Sequence, residues 1–425
     1  MKNKLKLIIV VFILLLTGCQ TNETTIVSSD DVLQAVADTK EKNIVSDDTT
    51  QDRLLVWIPF DYILFDDTSF LSENEGMTIE YKAVPKETVN SYLAGLLSDQ
   101  GPDILVVNAV DYGVFSKLDV FENYNDPPYD FNETTIENDV FSQLGWSIFG
   151  DKKIGLMTHF SPLVTYYRSD ILESIGYSSD PADVANYLSD TESLYELTRV
   201  LKDNNHYVVQ WKDEYNKLMS SNSGFFDEDL AMNRNSSQSQ AIYEFALHTY
   251  QENMDLNINF WSDEGTIALK KNELVMTYMG TWGQKELISR VPEQASKWKV
   301  TSLPFDIKAF DGYFMMIPSK SDNKEKAWEW VHQTYSDELY NWEFENNVNR
   351  RYLNNQDVSE YFQKGLEGSY NRTFTPFDGE LDTIYGQRFN DYIQSEISFE
   401  QFIEAFENVI SEDFDVELER YKRLR

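Results

Sequence analysis

From Arg53 onward the chain alternates compact apolar runs with stretches of helical period. Leu54-Leu55-Val56-Trp57-Ile58, stopped by Pro59, has the length of a buried strand, and Met77-Thr78-Ile79-Glu80-Tyr81 reads as a second. Lys86 to Leu97 sets Val89, Leu93, Leu96 and Leu97 on one side of a helix. Gly101-Pro102-Asp103 then turns into Ile104-Leu105-Val106-Val107, apolar on both faces. That order predicts a parallel sheet covered by helices, with a ligand crevice at the carboxyl ends of its strands. The theme repeats. Short strands are expected at Ile154–Met157 and Leu163–Tyr167, flanking His159-Phe160-Ser161-Pro162, and at Leu274–Tyr278, Trp298–Leu303 and Tyr313–Ile317. Helices are expected over Asp183–Lys202, Gln238–Asn253, Thr266–Lys271 and Lys324–Tyr335, with a terminal one over Phe399–Tyr421. The folded body contains no internal repeat and no low-complexity block.

The amino terminus has a different pattern. Lys2, Lys4 and Lys6 precede an unbroken apolar run, Leu7 to Leu16, too short to span a bilayer but suited to the core of a secretory signal. The ending Leu16-Thr17-Gly18-Cys19 resembles the lipobox of bacterial lipoproteins. That resemblance implies cleavage before Cys19, a lipid on its thiol, and residence on the extracytoplasmic face of the bacterial cell membrane. Cys19 is also the only cysteine. An intramolecular disulfide and a cysteine-based metal site are therefore excluded, and the body must be held by its core. Gln20 to Asp52, rich in Thr, Ser, Asp, Asn and Gln and free of aromatics, reads as a hydrated tether. Within it the pattern allows a short amphipathic helix over Asp30–Lys42, for which Ser29 would be the cap.

Composition narrows the function. At 425 residues, the chain has room for one large or two medium domains. Its 72 acidic against 36 basic residues give a formal charge of -36, a field that repels nucleic acid and anionic headgroups and suits a neutral or cationic ligand. The 25 Tyr, 26 Phe and 9 Trp serve either as core or as the walls of a sugar cleft. Nucleophile-elbow, phosphate-loop and His-Glu-x-x-His motifs are absent from the sequence. His159, His206, His248 and His332 lack ligand spacing, which argues against a histidine metal site. Carboxylates are too abundant for any pair to stand out as glycosidase machinery. No cofactor is implied.

Four patterns in order carry a family resemblance. They are Gly101-Pro102-Asp103-Ile104-Leu105 with Tyr112-Gly113-Val114-Phe115; Lys153-Ile154-Gly155-Leu156-Met157 through Tyr166-Tyr167-Arg168-Ser169-Asp170 to Gly176; Ala268-Leu269-Lys270-Lys271-Asn272-Glu273 to Gly280-Thr281-Trp282; and Trp298-Lys299-Val300, Leu303-Pro304, Asp311-Gly312-Tyr313 and Ala327-Trp328-Glu329-Trp330. Together, from about Arg53 to Ser336, they resemble the family 1 extracellular solute-binding proteins of ABC importers, in particular the carbohydrate-binding, maltose-binding-protein-like branch. The resemblance implies a two-lobed type II periplasmic-binding-protein fold, α/β, each lobe a mostly parallel sheet flanked by helices, with hinge strands between. Its segments would be a signal over 1–18, a lipidated tether over 19–52, a first lobe over 53–160 and 296–345, a second over 161–295, and a helical part over 346–425 belonging mainly to the second.

The same resemblance implies ligand-binding roles for Trp57, Asp61, Asn108, Asp111, Phe160, Ser161, Trp282, Asp311, Gly312, Tyr313 and, after Arg372, Phe374. Trp282 matches the family's stacking tryptophan. Asp180-Pro181-Ala182-Asp183, Asp311-Gly312, Arg168 and Ser161 depart from the family's usual residues, and they leave the ligand's identity open. The implied partners are a sugar or oligosaccharide, an ABC permease and the membrane through Cys19, with the protein itself a monomer and not an enzyme. Two alternatives stand beside a sugar binder: a binder of a cationic or metal-chelate ligand (a polyamine or iron) using acidic residues or Tyr166-Tyr167, and an extracytoplasmic glycoside-active enzyme. A sensor that reports to a membrane kinase is a further variant of the binder.

Overall fold

The computed structural model describes residues 52–59, 65–84, 88–98, 100–131, 144–222, 224–227, 229–341, 349–367 and 373–424. The chain divides into a body of residues 50–96 and 100–425 and a segment of residues 1–49 with 97–99. Cys19, the signal, the helix expected over Asp30–Lys42, nearly all of the tether, and Asp61 lie outside the described residues.

The body opens with β1 (Arg53–Ile58), α1 (Thr68–Glu73), β2 (Thr78–Ala83), α2 (Thr88–Leu97), β3 (Ile104–Asn108) and α3 (Tyr112–Ser116). It continues through β4 (Leu156–Pro162), β5 (Val164–Arg168), α4 (Ser169–Ser174), α5 (Pro181–Ser189), α6 (Thr191–Asp203), α7 (Glu214–Asn222), α8 (Ser237–Gln251), α9 (Asp263–Lys270), β6 (Met276–Met279), α10 (Gly283–Arg290) and β7 (Trp298–Thr301). It closes with β8 (Phe310–Met316), α11 (Lys324–Asn341), α12 (Ser359–Leu366), α13 (Asp378–Gln394), α14 (Phe399–Val409) and α15 (Asp415–Leu424).

A five-stranded sheet has the order β2-β1-β3-β8-β4 and a three-stranded sheet the order β6-β5-β7. In the first, β1 runs parallel to β2 and β3, and β8 runs against both β3 and β4. The expectation of a mostly parallel sheet holds there. It fails in the second, where β5 is antiparallel to β6 and to β7. A strand buried on both faces has the same apolar pattern in either direction, so its text carries no sign of polarity. Within the segment 296–345, β7 pairs with β5, and the chain returns to the first sheet only at β8.

Period-two alternation distributes the core. On β5, Val164 and Tyr166 point into one apolar cluster with Trp298, Val300 and Met279, while Tyr167 joins another with Leu172, Leu197 and Met276. A third cluster covers the five-stranded sheet, where Trp330, Val331 and Tyr335 of α11 meet Leu105, Val107 and Met315. The fourth is aromatic: Phe225, Tyr243, Tyr385, Phe389, Phe402 and Phe406 join α8, α13 and α14. Much of the aromatic surplus is therefore core.

Three expectations, two of helices and one of strands, need revision. Asp183–Lys202 is two helices, because Asp190 is extended and its carboxylate accepts the Ser193 N–H (2.9 Å), capping α6. The terminal helix is interrupted by a π turn at Ile410–Phe414. The residue it adds brings Phe414, in place of Asp413, onto the face already formed by Phe402, Phe406 and Val409. Finally, His159-Phe160-Ser161-Pro162 does not separate two strands. It is part of β4, with a bulge between Thr158 and Ser161 and His159 at φ 51°.

Candidate ligand-binding site

β8 lies between β3 and β4, so Tyr313 faces Asn108 on one side and Thr158 on the other, and Asp311 faces Ser161. Asp311 and Tyr313, two residues apart, share one face of β8, and Gly312 turns to the other. Beyond this pairing the Leu163 N–H donates to the Ala309 carbonyl (2.8 Å). The chain leaving β4 for β5 thus runs beside the chain arriving at β8 from β7, in the opposite direction.

The turn between β6 and α10, Gly280-Thr281-Trp282, is held against these crossing strands at three points. The buried Tyr166 hydroxyl donates to the Gly280 carbonyl (2.9 Å). The Thr281 N–H donates to Ser161 Oγ (2.7 Å), with the two hydroxyls 3.0 Å apart. The Trp282 indole N–H donates to the Asp311 carboxylate. Gly280 is what lets the turn come so close: a methyl group there would overlap the Ser161 hydroxyl and sit 2.7 Å from Trp282 Nε1. Desolvation pushes the Asp311 carboxyl up to about 6, against the opposing pull of the indole N–H. Three residues singled out from separate stretches of sequence are therefore brought together: Ser161 bonds Thr281, the adjoining Trp282 bonds Asp311, and Asp311 lies opposite Ser161 across β8 and β4.

Trp261 belongs with them, although the sequence reading passes over it. Its ring centroid lies 5.8 Å from that of Trp282 at an interplanar angle of 36°, and the residue is 54% exposed. The Arg290 guanidinium stands 5.3 Å from the Trp261 ring and 4.9 Å from the Phe260 ring, and its Nη1 donates to the Phe260 carbonyl (3.3 Å) and Thr266 Oγ1 (3.0 Å). The available signal is an aromatic pair, Phe260-Trp261, in an Asn-rich stretch without helical period just before the Ser262 cap of α9.

The remaining candidates divide. Asn108 is half-buried at the end of β3, and its Oδ1 accepts the Val110 N–H (3.0 Å), turning the chain toward α3. Asp111, at the cap position of α3, lines a cavity of about 320 Å³ with Val110, Lys217, Ser220, Phe225 and Asp382. Trp282 and Asp311 do not line that cavity. Tyr313 sits near the His159 ring (centroids 6.2 Å), and Phe160 stacks on Phe310 (4.8 Å, 26°). Phe374 meets Tyr112 and Phe314 edge-on (5.4 and 5.5 Å) at the margin of the first core. Trp57 is only 7% exposed, with Lys82 Nζ 4.3 Å from its ring and Gly95 of α2 leaving space for it; its position is that of a core side chain. Tyr166 and Tyr167 are fully buried, and their hydroxyls donate to the Gly280 and Ser179 carbonyls. Among the described residues no group of three or more His, Cys, Asp or Glu side chains is placed to hold a metal ion.

This architecture has known counterparts. The profile of the family described as bacterial extracellular solute-binding protein matches residues 59–339. Among curated proteins no sequence matches the chain. Among solved structures, the galacto-N-biose/lacto-N-biose I-binding protein of an ABC transporter from Bifidobacterium longum, in complex with lacto-N-biose, aligns with TM-score 0.65 at 12% identity, over 88% of this chain and 99% of that one. The sugar-binding protein MalE from Xanthomonas citri aligns with TM-score 0.62 at 12% identity, over 88% and 97%. An ABC transporter solute-binding protein from Thermotoga lettingae, bound with α-D-tagatose, aligns with TM-score 0.61 at 17% identity, over 88% and 99%. The family profile covers about two-thirds of the chain, and the fold is that of these two-lobed binders. The chain belongs to the bacterial extracellular solute-binding protein family.

Proposed function

We propose that this protein is the substrate-binding component of an ABC transporter, anchored by lipid on Cys19, that captures a sugar or oligosaccharide between two lobes and delivers it to a membrane permease. The pairing of Trp282 with the exposed Trp261 beside Asp311 carries the reading. An indole face packs on the C–H face of a pyranose while a neighbouring carboxylate and hydroxyls bond its oxygens. The solved counterparts from Bifidobacterium longum and Thermotoga lettingae hold lacto-N-biose and tagatose, respectively. In this reading, Asn108, Asp111, Phe160, Ser161, Gly312, Tyr313 and Phe374 line or shape the cleft. One lobe holds residues 53–160 with β8 and α11. The other holds residues 161–301, and the helices after 346 belong mainly to it. Closure on the ligand expels water and shifts the open–closed population, which a permease can sense.

Against the chelate alternative, one of its two candidate ligand sets, the Tyr166 and Tyr167 hydroxyls, is buried and bonded to backbone carbonyls. Binding without turnover distinguishes a transport component from a glycoside-active enzyme. A thermal-shift screen of the mature protein against mono- and disaccharides tests the proposal, because a ligand that binds the folded form raises its stability by mass action. Stabilisation by a sugar, unchanged by chelator and absent in Trp282→Ala, is the expected result. Product formation from the bound sugar, or an undiminished response in Trp282→Ala, overturns it. Cys19→Ser should release the protein from the membrane fraction of the native host.

A further inference from the structure

The loop that carries Trp261 is held from beneath by a polar relay. The Phe260 N–H donates to Gln210 Oε1 (2.6 Å), and the Asn257 N–H donates to the Gln210 backbone carbonyl (2.8 Å). Gln210 is fixed in turn by Glu214 in the first turn of α7. Its Nε2 donates to Glu214 Oε1 (2.6 Å) and its own N–H to Glu214 Oε2 (2.6 Å). Both carboxylate oxygens are thus engaged by one residue, and Glu214 is only 9% exposed. On the opposite side the Phe260 carbonyl accepts from Arg290. A single residue, Phe260, immediately before Trp261, therefore has its N–H and its C=O tied to two different parts of the chain.

A buried carboxylate placed to orient one carboxamide is costly to desolvate and is not needed for packing alone, since an apolar pair of the same volume fills the space without that penalty. Its geometric effect is specific. A carboxamide whose Nε2 is occupied by Glu214 can turn only its oxygen toward the loop, so only an N–H donor is accepted there.

We infer that Gln210, oriented by Glu214, is a positioning residue that sets the angle of Trp261 against Trp282 and so builds the aromatic surface on which the ligand stacks. The inference deepens the proposed function and rests on it for the role of the two indoles. Gln210 itself touches no ligand; it acts through the Phe260 amide.

The test needs no ligand. Two indoles at this separation and tilt couple, and the difference between the far-ultraviolet circular dichroism of the wild type and Trp261→Phe isolates that couplet. Gln210→Met, which keeps the length and removes both hydrogen-bonding groups, should lose most of the couplet, as should Glu214→Gln, while the unfolding transition stays cooperative. In the unaltered protein, the same contact predicts slow hydrogen exchange at the Phe260 amide. A couplet undiminished in both variants, a couplet missing from the wild type, or fast exchange at Phe260 overturns the inference. Failure of Trp282→Ala to change the sugar response would overturn the stacking reading while leaving the couplet result standing, so the two failures are distinct.

Discussion

Replacing Asp311 by Asn removes a charge that the crossing strands hold at a cost. The folded protein keeps the Asp311 proton up to about pH 6, where a free aspartate releases it near 3.8, because burial disfavours the carboxylate more than the Trp282 N–H favours it. The folded state therefore binds this proton more tightly than the unfolded chain does. Its contribution to stability is fully present below the unfolded value and is lost as pH rises through about 6. At 1.36 kcal/mol per pKa unit the loss amounts to about 2–3 kcal/mol, the lower figure allowing for the solvent that still reaches this partly buried side chain. Asparagine keeps the shape and keeps an oxygen for the indole N–H. Asp311→Asn should therefore be more stable than the wild type at about pH 7.5 by on the order of 2 kcal/mol, and the difference should vanish near pH 4. Urea denaturation of both proteins across that range measures it, and subtracting one curve from the other removes the many carboxylates they share. In the proposed function the carboxylate also accepts from a sugar hydroxyl, so the stabilised variant should bind its sugar more weakly. Parallel pH profiles, with no gap opening above pH 6, would refute the desolvation argument.

Further outcomes follow from the packing. Gly280→Ala drives a methyl group into Ser161 and toward Trp282; overpacking and the strained Thr281–Ser161 bond should cost about 2–4 kcal/mol of stability by urea denaturation and shift the tryptophan emission. Asp190→Ala leaves the Ser193 N–H without its cap, and a loss of about 1 kcal/mol, with no change in ligand response, is expected from denaturation and the sugar screen. Phe402→Ala empties the centre of the fourth cluster, where its ring meets Tyr243, Tyr385 and Phe389; calorimetry should record a loss of about 3–5 kcal/mol.

The positions of the strands and most helices were legible because burial imposes its period on the sequence. Ile104–Val107 and Leu54–Ile58 read as buried strands and are. Trp282, Ser161 and Asp311 were drawn from the family resemblance, and the fold sets them side by side. Trp261 was not legible, because a loop indole has no period and its value depends on a neighbour twenty-one positions away. The burial of Trp57 was not legible either: the text of a strand end is the same whether the ring faces a cleft or a helix, and Gly95, on another element, makes room for it.

By itself, the sequence determined the class of the fold, the order of its elements and the chemistry available to it: an acidic, aromatic-rich chain with a single cysteine at Cys19. Those are properties of composition and local period. Only the tertiary structure decided that β5 runs against both its neighbours, that the return to the first sheet waits for β8, and that Ser161 bonds Thr281 while the next residue, Trp282, bonds Asp311. Local pattern specifies which face of a segment is buried, whereas strand direction and hydrogen-bond partners depend on which distant segment is buried against it. At the site, a missing methyl on Gly280 and a desolvated carboxylate on Asp311 become meaningful only once the two are packed together.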